Sequence, residues 1–216
     1  MFNVCYQCGS YHADKVIDPA GPFAVCPDCG FQHPFQRMPL LVVGGASGTG
    51  KSTVCQRLMG SFTRAVILES DILWRPEFDK PETDYQVFFG TWLRLCKNIG
   101  QSGRPVVLLG AGFSVPSNLE GLVERRYFSK IHYLALVCSP EAIEDRLSRR
   151  PQWRDAGGRG FIENHLRFNR WLQEYRDQPA IQLLDTSSYT PDESASQIAA
   201  WITGRLEAFD KKERMT

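Results

Sequence analysis

The chain has 216 residues, 43% of them hydrophobic and 23% charged, with a formal net charge of +1. That length and balance fit one medium globular domain, or one domain with a small appendage. Near-neutral charge offers no bulk attraction to nucleic acid or an anionic membrane, no apolar run reaches membrane-spanning length, and the first residues lack a signal-peptide pattern, so a cytoplasmic location is expected.

Seven cysteines in that setting point to metal ligation or free thiols rather than a disulfide framework. Residues 1–38 carry two C-x-x-C-G units, Cys5-Tyr-Gln-Cys8-Gly9 and Cys26-Pro-Asp-Cys29-Gly30, with seventeen residues between Cys8 and Cys26. Each unit presents two thiolates on one side of a tight turn, and two such turns complete a tetrahedron around Zn²⁺. Pro19, Gly21 and Pro22 break the intervening segment between the apolar stretches Val16-Ile17 and Phe23-Ala24-Val25, as in a hairpin. The expectation is a zinc ribbon ligated by Cys5, Cys8, Cys26 and Cys29, with His12 and His33 outside the ligand set. A module this short draws its folding energy from the metal. A closed four-thiolate site has no open position for catalysis. A structural role, docking of a protein partner and nucleic-acid contact all stay open. Phe31 to Pro39 reads as a linker.

Residues 39–216 form the larger unit. An apolar run, Leu40 to Val43, ends on Gly44 and Gly45, and G-x-x-x-x-G-K-S follows from Gly45 to Ser52. This is the phosphate-binding loop pattern, delivered by a buried strand and closed by a helix start. Glycines let successive N–H groups turn inward on phosphate oxygens, and the helix N-terminus adds partial positive charge. The predicted cradle is Gly45, Ala46, Ser47, Gly48, Thr49, Gly50, Lys51, Ser52 and Thr53. Lys51 reaches the β- and γ-phosphates of a nucleotide such as ATP, and the Ser52 hydroxyl ligates Mg²⁺.

A compact apolar run, Ala65 to Leu68, predicts the second strand, with Glu69, Ser70 and Asp71 at its carboxyl end. Ligands of open α/β sheets bind outside the carboxyl ends of strands. Asp71 therefore suits the base that takes a proton from an attacking hydroxyl, with Glu69 in reserve; an N-cap for the following turn is the plainer reading. Tyr85, Phe88, Phe89, Trp92, Cys96 and Ile99 recur at helical spacing and form one apolar face. Pro105 to Leu109 predicts the third strand, ending in Gly110-Ala111-Gly112 with no aspartate, and those glycines suit close approach of backbone to substrate. Ile131 to Val137 predicts the fourth strand. Ser139-Pro140 opens a helix carrying Arg146, Arg149 and Arg150. With Arg154, Arg159 and the neighbouring glycines, they suggest a lid around residues 149–160, in which Arg146 and Arg150 cover a transferring phosphoryl group. The alternative is a solvated helix face with Arg146 paired to Glu141 or Asp145. Phe161 to Tyr175 is helical, Ile181 to Leu184 is the fifth strand, and an amphipathic helix closes the chain from Pro191 to Phe209. Strands alternating with helices imply an α/β fold with parallel pairing. Cys55, Cys96 and Cys138 read as core thiols.

Together the loop Gly45–Ser52, the strand-end Asp71, the run Arg146–Arg150 and Asp185-Thr186 resemble the phosphate-loop kinases of the nucleoside/nucleotide kinase type, a group that includes shikimate, gluconate and chloramphenicol kinases. The resemblance covers residues 39–205. It implies a five-stranded parallel sheet of order 2-3-1-4-5 in a three-layer sandwich. It also implies transfer of the ATP γ-phosphoryl group to a small-molecule acceptor, nucleoside-like at first guess. Adenine would lie between the Arg146 region and the loop after Asp185. The ribbon and the missing strand-three aspartate depart from the small kinases. Two rival readings remain: a nucleic-acid-binding 5′-hydroxyl kinase, against which Lys15 stands as the one basic residue between the cysteines, and a regulatory nucleotide-binding protein whose ribbon docks a partner.

Overall fold

The computed structural model describes residues 3–83, 85–150 and 158–213. Two sheets organise them. Near the N-terminus, β1 (Val16–Asp18), β2 (Phe23–Val25) and β3 (Gln32–Pro34) form an antiparallel sheet in sequence order. The third strand corrects the expected linker over Phe31 to Pro39. Pro34 sits at the end of an edge strand, where its missing N–H costs no ladder bond, and Phe35 just beyond it packs with Ala24 and Tyr127.

The larger sheet is parallel throughout. Its strands are β4 (Leu40–Gly45), β5 (Val66–Glu69), β6 (Val106–Leu109), β7 (Ile131–Val137) and β8 (Gln182–Asp185), in the order β5-β6-β4-β7-β8. This is the expected 2-3-1-4-5 order. Every residue of β4 is buried, because the strand is central and both faces are covered. Side-chain alternation sends Leu40 and Val42 to one face and Leu41 and Val43 to the other. The first pair joins Phe88, Phe89, Trp92, Leu93 and Cys96 of α2 (Gln86–Gly100). The second joins Val54, Cys55 and Leu58 of α1 (Lys51–Leu58), and Ile198, Ile202 and Leu206 of the last helix, Pro191–Glu213. Three further helices complete the layers: α3 (Ser117–Glu120), α4 (Pro140–Ser148) and α5 (Arg159–Glu174), with the closing helix as α6. Cys55, Cys96 and Cys138 are all buried, as core thiols should be.

The small sheet is fastened to the C-terminal half of α2 and to the single turn at Val123–Tyr127. Lys97 donates to Asn3 Oδ1 at 3.0 Å, the Tyr127 hydroxyl to Ala13 O at 2.7 Å and Arg126 to Asp14 O at 2.8 Å. Lys15 is fully buried and donates to the carbonyls of Asn3 and His12. No helix among the described residues is long and apolar enough to cross a membrane.

Trp92 links this core to the carboxyl end of β5. Its ring is fully buried, and its indole N–H donates to Ser70 O at 3.2 Å. Trp92→Ala is expected to lower unfolding free energy by about 3–5 kcal/mol, by cavity formation, as read from urea denaturation.

Candidate active site

The phosphate loop begins where β4 stops. Gly45 has φ +138°, and a Cβ there would meet Leu136 O at 2.4 Å, so glycine is required on both counts. The chain then closes on itself: the Thr49 hydroxyl donates to Ala46 O at 2.9 Å. Gly50, at φ +97°, turns the chain into α1, whose N-terminus carries no side-chain cap and no acidic residue in its first turn. Lys51 reaches back over the loop and donates to Gly45 O and Ala46 O, both at 2.8 Å. Burial lowers its pKa from the ordinary 10.5 to about 8; Asp71 and Glu69 oppose that shift and Arg150 adds to it. The strand-end carboxylates and the loop ammonium are thus within electrostatic reach of one another.

At the end of β5 the chain forms a single turn, Ser70–Leu73. Ser70 is buried there. A Cβ on Gly110 would meet its hydroxyl oxygen at 1.9 Å. The glycine after β6 therefore makes room for Ser70, a packing role the sequence did not suggest. With Ser70 pinned, Asp71 stands exposed beside it and accepts from the Ser70 hydroxyl at 3.2 Å. A cavity of about 380 Å³ opens here, lined by Ser70, Asp71, Trp74, Phe88 and Ala111. Trp74 meets Phe88 edge-on at 5.2 Å and Tyr85 at 6.1 Å, and Arg75 lies over the Phe78 ring at 5.7 Å.

On the other side of the loop, Arg146 is a brace. It donates to Gly48 O at 3.2 Å and Thr186 O at 2.9 Å, while the Thr186 hydroxyl donates to Thr49 O at 3.2 Å. Neither acidic partner considered from sequence holds it; Asp145 pairs instead with Arg149 at 2.7 Å. Gly48, Thr49, Thr53, Arg146, Arg150, Thr186 and Tyr189 are among the residues lining a second cavity of about 290 Å³. Asp185 ends β8 beside it, but its carboxylate is taken up by the N–H and hydroxyl of Ser187. Of the predicted lid, residues 151–157, Arg154 included, lie outside the described residues, and Arg159 pairs with Glu163 at 3.1 Å on α5.

Sequence reasoning missed His165. Its Nδ1 accepts from the Ser47 N–H of the loop at 3.2 Å. The signal was available in the spacing Phe161, His165, Phe168, Leu172, which places one imidazole on the inner face of α5.

The four ribbon cysteines converge. Their sulfur atoms all lie within 4.8 Å of one another. Cys5 and Cys29 are 3.7 Å apart, and Cys8 and Cys26 are 3.8 Å apart. A tetrahedron with metal–sulfur bonds of about 2.3 Å has edges of about 3.8 Å, so the donors fit such an ion. Hydrogen bonds from Ser10 pull the Cys8 thiol down, while the neighbouring sulfurs help push the Cys29 thiol up, as expected of thiols crowded together without a cation. His12 is engaged by Asp28 at 2.9 Å, and His33 is buried between the rings of Tyr6 and Phe31.

A family profile described as AAA domain matches residues 40–174. The chain belongs to that AAA domain family. The match begins at β4, just after the ribbon, and runs to the end of α5. No curated protein sequence matches significantly. Solved structures share the fold of this AAA domain. A sugar kinase from Janibacter sp. HTCC2649 is 16% identical over 77% of this chain and 95% of its own, with a TM-score of 0.59. A gluconokinase from Sinorhizobium meliloti 1021 is 16% identical over 82% and 98%, with a TM-score of 0.54. The tunicamycin resistance protein of Deinococcus radiodurans is 17% identical over 77% and 96%, with a TM-score of 0.56. The AAA domain of this chain thus has the phosphate-loop fold found in small-molecule kinases.

Metal analysis of the purified protein is expected to return about one thiolate-bound ion per chain. Cys26→Ser should abolish that stoichiometry and lower the melting temperature, because a sheet of three-residue strands has little core of its own.

Proposed function

We propose that the protein is an ATP-dependent phosphotransferase. It moves the γ-phosphoryl group to a hydroxyl of a small, nucleoside-like molecule held in the Asp71–Trp74–Phe88 cavity. The observation that carries the reading is the placement of Asp71. It lines that cavity and also lies near enough to Lys51 to favour the ammonium form against burial. A carboxylate facing both an acceptor cavity and a phosphate loop is what transfer to a hydroxyl requires.

In this reading the loop amides of Ala46 and of Gly48 to Ser52 bind the phosphates, while the Ser47 N–H stays on His165. Lys51 exchanges the carbonyls of Gly45 and Ala46 for phosphate oxygens. Arg146 keeps the loop in shape through Gly48 and Thr186, and Arg150 faces the nucleotide. Thr186 and Tyr189 flank the base, and Asp185 acts at one remove, by fixing the turn at Ser187. Asp71 takes the proton of the attacking hydroxyl. The new O–P bond forms as the bond between the γ-phosphorus and the β,γ-bridging oxygen breaks, leaving ADP, a phosphate ester and one proton on Asp71. Mg²⁺ carried with the nucleotide would meet hard oxygen donors in Ser52, Glu69 and Asp71, and it supplies charge neutralisation at the β,γ-oxygens. The ribbon is assigned zinc and a structural role, since Lys97 fastens it to the helix that bears Phe88, and Arg126 and Tyr127 to the neighbouring turn. The nucleic-acid alternative weakens, because Lys15, the one basic residue between the cysteines, is buried and bonded to carbonyls.

Asp71→Asn is expected to reduce acceptor-dependent ADP release by about 10²–10⁴-fold, the usual worth of a general base, while Mg·ADP affinity stays within about threefold. Lys51→Ala should remove both. Equal turnover in Asp71→Asn and wild type, across a panel of nucleosides, sugars and aminoglycosides, sinks the assignment of the base.

The lowered pKa of Lys51 has a sign. The nucleotide-free protein loses the ammonium proton near pH 8, and bound phosphates pull the pKa back up, so binding takes up a proton above that point. Mg·ADP affinity should be flat below pH 8 and fall by up to about tenfold per pH unit above it. Lys51→Arg, which stays charged, should flatten that limb. The same shift makes this group's contribution to folding stability rise between about pH 8 and 10.5, where the unfolded chain binds more protons.

A further inference from the structure

The helix α5 carries an imidazole into the phosphate loop from 118 residues away in sequence. Its position is set from two sides. The Ser47 N–H donates to Nδ1 at 3.2 Å, and the Phe161 ring meets the imidazole edge-on with centroids 4.3 Å apart. Phe161, Ile162, Leu166 and Phe168 pack with Ala46, Ile143 and Leu147, so α5 is anchored where His165 leaves it. An acceptor at Nδ1 needs its lone pair, which puts the ring proton on Nε2. Burial lowers the pKa to about 4, and Lys51 and Arg150 push the same way. The ring is therefore neutral at physiological pH, with a donor of fixed tautomer within electrostatic reach of the two cations beside the loop. Among the described residues its one hydrogen bond is that from Ser47.

The position of Ser47 in the loop says which phosphate is near. Gly48, Thr49, Gly50 and Thr53 line the cavity on the Arg146 side; Ser47 does not. The helix N-terminus at Gly50 to Ser52 lies further along. The Lys51 ammonium, the group that reaches the β- and γ-phosphates of a bound nucleotide, rests on Gly45 O and Ala46 O, so Ser47, the next residue, lies where the end of a polyphosphate would lie.

We propose that His165 is a phosphate-contacting residue: the Ser47 amide holds the ring through Nδ1, and Nε2–H is donated to an oxygen of the terminal phosphate of a bound nucleoside triphosphate. This rests on the nucleotide-binding reading above. The contact transfers no proton. Lys51 and Arg150 already supply positive charge, so a neutral donor adds direction without further like-charge repulsion. It also ties α5 to the triphosphate state, because a diphosphate has no oxygen in that place.

The test is titration calorimetry of the full-length chain with Mg·ADP and with Mg·AMP-PNP, for wild type, His165→Leu and His165→Gln. Leucine keeps bulk and loses both hydrogen-bonding atoms, whereas glutamine offers one acceptor and one donor. Loss of one bond to a charged oxygen predicts an affinity for AMP-PNP lowered by about 10- to 100-fold in His165→Leu. ADP affinity should change by less than about threefold, and glutamine should restore at least half of the loss on a logarithmic scale. Equal losses for both nucleotides mark a merely structural clamp and overturn the proposal, as does an unchanged AMP-PNP affinity. Nitrogen-15 spectra of the wild-type imidazole give a readout that needs no variant to fold. The Nε2 resonance should move on adding AMP-PNP but not ADP, and a resonance indifferent to both overturns the assignment. Wild type that binds neither nucleotide overturns the nucleotide reading and this contact together. Normal ADP binding with an indifferent His165 overturns this contact alone.

Discussion

A half-buried ammonium group resting on two carbonyls of its own loop is the constraint from which the rest of the site follows. Lys51 has its charge partly withdrawn from water, with Gly45 O and Ala46 O as its hydrogen-bond acceptors. Neutral carbonyls satisfy its donors but not its charge. The strand-end carboxylates offset the remainder, which is why the pKa falls only part of the way. A polyanion arriving at the loop supplies what is missing. The nucleotide-free form is thus arranged around a charge deficit that a phosphate ligand relieves.

The fold makes that deficit possible by geometry. The central strand β4 is buried on both faces, so its carboxyl end opens into the crevice where sheets of this kind bind ligands. The order β5-β6-β4-β7-β8 puts β6 between β4 and β5. Asp71, after β5, is thereby separated from the loop after β4 by one intervening strand. Packing fixes that separation: Trp92 holds the Ser70 carbonyl, and Gly110 makes space for the Ser70 hydroxyl. Residues two layers into the core thus determine where the exposed carboxylate stands.

On the far side, Arg146 and Thr186 tie the loop to α4 and to the end of β8 through backbone carbonyls. A loop rich in glycine has many conformations, and these ties restrict it before any ligand is bound. The ribbon follows a different logic. Its strands are too short to hold a core, so four converging sulfurs and a few bonds to Lys97, Arg126 and Tyr127 hold it in place.

Contiguous chemistry was legible in the chain itself. The loop spacing from Gly45 to Ser52 and the two C-x-x-C turns work through backbone geometry over a few residues, and local sequence dictates that geometry. Four apolar runs and the Ile181–Leu184 segment, alternating with helical patterns, likewise implied the parallel sheet, because a strand buried on both faces must be apolar on both. Contacts between distant segments were not legible. Arginine at position 146 reads the same whether it faces water, a carboxylate or a loop carbonyl, and only the packing of α4 against the loop selected the carbonyls. Nothing around Gly110 in sequence showed that it makes room for Ser70. His165 is one polar residue on an amphipathic helix until α5 docks against the loop. A side chain's partner is set by what the folded chain brings within 3 Å or so of it, and sequence spacing carries that information only inside a single element.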